Sequence, residues 1–73
     1  MPKLPVLTPK ELIKKLKKIG FKKDHTTGSH IVMYHPKTSL RAVIPYHLKD
    51  LKKGTLHSLL KEAGISIDEL LKQ

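Results

Sequence analysis

Thr8-Pro9-Lys10-Glu11 and, twelve residues on, Gly20-Phe21 write both ends of one helix into this chain, and they constrain most of what can follow. Thr8 can accept from the amides of the first turn, Pro9 suits the first helical position, and Glu11 can reach back to complete a capping box. Gly20 supplies a left-handed stop against which Phe21 can fold. Between them Leu12, Ile13, Leu16 and Ile19 fall on one stripe, while Lys10, Lys14, Lys15, Lys17 and Lys18 take the remaining surface. A basic amphipathic helix can also lie on an acidic membrane. Here the polar face has no aromatic anchor and the ends are those of a globular helix, so the stripe is expected to cover a core.

The residues that core needs come next. A short strand is expected from Lys22 through about His25, a turn at Thr26-Thr27-Gly28, and a β-rich run from Ser29 to His35. Pro36-Lys37-Thr38-Ser39 reads as a second turn, and Leu40 to Ile44 as a third strand that Pro45 ends. Alternation places His30, Val32 and Tyr34 on one face of the middle strand and Ile31, Met33 and His35 on the other; Ile31 and Met33 are favoured as core, and the run is apolar enough on both faces to leave the reverse assignment open. Gly54-Thr55 opens a second helix with Leu56, Leu59, Leu60 and Ala63 as its buried stripe and Gly64 as its stop. Ser66 and Glu69 form another capping box, which begins a short last helix packed through Leu70 and Leu71. The expected fold is α+β, in the order α-β-β-β-α with a short C-terminal helix, its helices on one face of a three-stranded antiparallel sheet.

The 73 residues are expected to form a single domain, 1–73, too small to hide more than about 60% of the surface of its unfolded chain. There is no cysteine and no metal-ligand pattern, so helix–sheet packing or a partner must supply the stability. Beyond the first few residues no segment reads as disordered. No apolar run approaches the length of a bilayer span, and Met1 to Leu7 lacks the apolar stretch of a signal peptide. The expectation is a cytoplasmic protein, neither secreted nor embedded in a membrane.

A net charge of +9 draws such a chain toward polyanions, and its distribution sharpens the point. Up to Lys53 there are 13 basic and 3 acidic residues; from Gly54 on there are 2 and 3. Five histidines raise the question of a metal, yet His30 and His35 point to opposite faces of a strand and no close-spaced ligand pairs occur. Nor is there a nucleophile elbow with an orienting carboxylate for hydrolytic chemistry. What remains is chemistry in which the substrate brings its own nucleophile, as RNA does with its 2′-hydroxyl. A histidine can take that proton while lysines hold the phosphate, giving a 2′,3′-cyclic phosphate and a 5′-hydroxyl. The candidate is His30, directly after Gly28-Ser29. A second candidate element is Ile44-Pro45-Tyr46-His47 with Lys49, Lys52 and Lys53, where the start of the second helix offers a seat for a phosphate.

Four motifs in this order give the chain a family likeness: Leu16-Lys17-Lys18-Ile19-Gly20-Phe21, Gly28-Ser29-His30, Ile44-Pro45-Tyr46-His47, and Lys53-Gly54-Thr55-Leu56 leading to Leu60-Lys61-Glu62-Ala63-Gly64-Ile65. Almost end to end, the chain resembles the HicA toxins, mRNA interferases of toxin–antitoxin systems. The resemblance implies a fold similar to a double-stranded RNA-binding domain and metal-independent RNA cleavage by the histidine that corresponds to His30. It also implies an antitoxin partner of the HicB type that covers the site, and no cofactor. Lys22, Lys23, His25, Ser29, His47, Lys49 and Lys53 are the expected RNA contacts. Family members often carry arginine where this chain has His25 and His57, which exchanges a permanent, bidentate cation for a group mostly neutral at pH 7. Two rival readings remain: a non-catalytic RNA-binding module of the same fold, and a module whose basic surface docks an acidic protein.

Overall fold

The computed structural model describes residues 6–73, so the expected lack of order in the first few residues lies outside the described chain. Six elements follow one another: α1 (Pro9–Ile19), β1 (Lys22–Thr27), β2 (His30–Tyr34), β3 (Arg41–Pro45), α2 (Lys53–Ala63) and α3 (Ile67–Leu71). The sheet is antiparallel in the order β1-β2-β3, and the whole is the expected α+β arrangement. Among the described residues no helix is long and apolar enough to cross a membrane.

Local chemistry accounts for the helix ends. The Thr8 hydroxyl accepts from the Glu11 amide at 3.2 Å, and the Thr8 amide donates to the Glu11 carboxylate at 3.1 Å. That donation, with the Thr8 hydroxyl, holds the Glu11 carboxyl below the usual carboxylate range. Gly20, at φ +123°, ends the helix, and the Phe21 amide returns to the Leu16 carbonyl at 2.9 Å. Ser66 and Glu69 repeat the capping box at α3. The second helix differs from expectation: it starts at Lys53, with Lys52 as an N-cap that makes no side-chain bond, so Gly54 and Thr55 lie inside its first turn.

The strands also correct the reading in detail. Thr26 and Thr27 belong to β1, because the hairpin turns on two residues only, Gly28 and Ser29. Gly28 has φ +51° and Ser29 does not share the positive sign, so this two-residue turn favours glycine at its first position. Pro45 does not stop β3 but forms its last residue, opposite His30. An edge strand tolerates this because its outer side needs no amide donor.

The core lies between one sheet face and the helices. Leu12, Leu16, Met33, Ile44, Leu51, Leu56 and Leu70 are fully buried, and Ile31 packs against them, as its parity requires. Leu71 is 41% exposed, contrary to expectation. A five-residue helix presents one narrow face to α1, and Leu70 occupies it. Leu51 is drawn in by a bridge to Leu7, its amide donating to the Leu7 carbonyl at 2.7 Å. That bridge tethers the loop between β3 and α2, the loop that carries His47.

Candidate active site

The sheet face away from the helices carries the candidate residues. Register places Lys22, His25 and Thr27 of β1, His30, Val32 and Tyr34 of β2, and Arg41, Val43 and Pro45 of β3 on it. His25 reaches this face only because the pairing shifts between Lys23 and His25, with Asp24 as the extra residue of a bulge. Without that shift it would project to the other side, with Lys23.

His30 opens β2 directly after the two-residue turn and is half-buried. Its Nδ1 lies 3.4 Å from the Ser29 hydroxyl, a long contact, and no hydrogen bond engages its Nε2 among the described residues. The imidazole of His47 meets it edge to face, with ring centroids 5.7 Å apart and an angle of 62° between the planes. Three features bring the rings together. Pro45 pairs across from His30, the Tyr46 amide donates to the Ser29 carbonyl at 2.7 Å, and the Leu48 amide closes a turn onto the Pro45 carbonyl at 3.4 Å. Sequence proximity plays no part, since the two histidines are held by different segments.

His30 also lines an open groove between β3 and α2, with Val43, Pro45 and Leu59 as apolar lining and Thr55, Ser58 and Glu62 as polar lining. Thr55 sits in the first turn of α2, so the helix start opens toward the same groove. That first turn holds no acidic residue and begins with exposed Lys52 and Lys53, which leaves its amides available to an anion. Lys49 is exposed in the loop before it.

The remaining histidines are engaged elsewhere. The Nδ1 of His25 lies 2.9 Å from the Asp24 carboxylate, which also accepts from the Arg41 guanidinium at 3.1 Å. The His25 contact first, and Arg41 with it, hold the Asp24 carboxyl below the usual range. His35 stacks edge-on against Phe21, at 5.1 Å between centroids, and accepts from the Lys37 amide at 3.2 Å. His57 lines a separate recess with Leu60, Ile65 and Ile67. Among the described residues no three histidine, cysteine, aspartate or glutamate side chains gather as a metal-holding group.

Of the expected contacts, Ser29 and His47 lie beside His30, and several residues without a motif of their own shape the surroundings. Lys22 pairs with Tyr34 and Lys23 with Met33, so the two lysines project to opposite faces of β1. Asp24 and Arg41, which fix His25, and Thr55, Ser58 and Glu62, which form the groove wall, were not anticipated. The spacing of Thr55, Ser58 and Glu62 at three and four residues is a legible helical stripe beside the apolar one, and it was the available signal.

The fold is a small α-β-β-β-α arrangement on a strongly basic chain, with two imidazoles, His30 and His47, in contact. Comparison with known families makes this specific: the family model described as the HicA toxin of bacterial toxin-antitoxin matches residues 9–65. The chain belongs to this family and is the toxin member of a toxin–antitoxin pair, with an antitoxin as its counterpart. No curated protein matches it.

Proposed function

We propose that this toxin is a metal-independent endoribonuclease that cleaves mRNA in the cytoplasm, with His30 as the general acid–base. Lys22 on the same sheet face, and Lys49 and Lys53 before and at the start of α2, hold the RNA backbone, while Lys23 adds charge from the far side of β1. Ser29 and His47 flank the reacting phosphate, and His25, fixed by Asp24, borders it on the diagonal. A HicB-like antitoxin neutralises the toxin by covering this face. The observation that carries the reading is the placement of His30: an imidazole with no carboxylate partner among the described residues, beside a second imidazole, at the head of a groove onto which a helix start without a side-chain cap opens. The substrate's 2′-hydroxyl supplies the nucleophile, so the protein needs only to move protons and offset charge on the phosphate.

The test is cleavage of a labelled mRNA in EDTA by the wild type and by His30→Ala. Loss of cutting in a folded His30→Ala variant, with RNA binding retained, supports the reading. Equal cutting by both proteins removes His30 from the chemistry. A wild type that binds and protects RNA without cutting it identifies a binding module instead.

A further inference from the structure

The geometry points to His47 as the second proton-transfer group of this site, donating to the leaving oxygen while His30 accepts from the nucleophile; the inference rests on the nuclease reading above. Intramolecular RNA scission requires two proton movements, and one imidazole cannot make both within a single step. The 2′-oxygen forms a bond to phosphorus as its proton passes to Nε2 of His30. The bond from phosphorus to the 5′-oxygen breaks, its electron pair stays on that oxygen, and a proton from His47 neutralises it. The products are a 2′,3′-cyclic phosphate and a 5′-hydroxyl, with no water consumed and no redox change.

Four observations support this assignment. The two rings are in edge-to-face contact at 5.7 Å between centroids, close enough for one phosphate to touch both. They are held there by backbone: the Tyr46 amide on the Ser29 carbonyl and the turn from Pro45 to Leu48 fix the His47 segment to the Gly28-Ser29 turn. Both rings have reactive nitrogens without a carboxylate partner among the described residues, whereas His25 is tied to Asp24 and His35 to Phe21 and the Lys37 amide. Finally, His47 is exposed and contributes nothing to the core, so its precise seating has no packing explanation. Titratable groups around the pair include Glu62, which shares the groove with His30, and Tyr46, Lys49 and Asp50 on either side of His47 in the chain.

A leaving-group substitution separates proton donation from mere binding. His47→Ala and His47→Gln are assayed on ordinary RNA and on the same RNA with a bridging 5′-sulfur at the scissile bond, which departs without a proton. On ordinary RNA the variants are expected to lose about 10²–10⁴-fold in cleavage rate, and the fall in rate at alkaline pH, which reports loss of the acid, is expected to disappear. On the sulfur substrate they are expected to approach the wild-type rate. Unchanged cleavage of ordinary RNA, or an equal loss on both substrates, overturns the assignment of His47 while leaving His30 in place. A wild type inert on both substrates overturns the nuclease reading and this inference with it. Circular dichroism spectra matching the wild type confirm that the exposed substitutions leave the fold intact.

Discussion

The two-residue turn at Gly28-Ser29 sets where His30 stands, and its dependence on glycine can be worked through from the backbone. Gly28 has φ +51°, and a Cβ placed there would meet nothing within 4 Å. Gly28→Ala therefore carries no steric clash, only the cost of an L-residue in the left-handed region, about 1–2 kcal/mol. For a domain of this size each kcal/mol moves the Tm by about 4–8 °C, so the variant should melt about 4–16 °C below the wild type. Gly28→Asn should fall less, because asparagine visits this region more readily. A chemically made chain with D-alanine at position 28 should lose nothing, since its preferred φ is positive. Thermal melts followed by circular dichroism read all three. If Gly28→Ala melts with the wild type, or D-alanine is no better than L-alanine, the turn does not require a positive φ and the seating of His30 needs another explanation.

Further outcomes follow from burial, charge and register. Leu56 is fully buried under the sheet, so Leu56→Ala should cost about 2–5 kcal/mol in urea unfolding; a loss well below 1 kcal/mol would mean that the helix face is wrongly placed. Asp24 has a lowered carboxyl pKa in the folded state, so what its pairing with His25 and Arg41 contributes is present above the ordinary carboxyl pKa and lost as pH falls through the lowered value. The melting gap between the wild type and Asp24→Asn should accordingly close on going from pH 7 to strong acid, and a gap that stays constant would contradict the pairing. Under the RNA reading, Lys22→Gln should flatten the salt dependence of single-strand binding by about 0.7 in log–log slope. Lys23→Gln, on the opposite face, should change it far less when measured in a His30→Ala background.

The elements that carry their own chemistry were legible in the sequence. Thr8 with Glu11, and Ser66 with Glu69, form their capping boxes through hydrogen bonds within three residues, so local pattern sufficed. Parity puts Met33 and Ile31 on one face of β2, the favoured core face, and the structure buries that face. Where the outcome depended on long-range pairing, the sequence was less informative. The Leu7 to Leu51 bridge joins two segments with no periodicity. The bulge at Asp24 has no composition signal, yet it decides which face His25 shares. Lys52 caps α2 without a side-chain bond, so no residue marked that boundary. The contact between His30 and His47 arises from the β2–β3 register together with one amide bond from Tyr46, and motif spacing shows neither.

Under the proposed nuclease reading, RNA is cut by its own 2′-hydroxyl, with protons moved at the His30 site. Analysis of the ends left by the purified protein on a defined RNA in EDTA tests it most directly. The expected ends are 2′,3′-cyclic phosphate and 5′-hydroxyl, formed by the wild type and lost in His30→Ala. Fragments ending in a 3′-hydroxyl and a 5′-phosphate would show that water or another nucleophile attacks, and would contradict it.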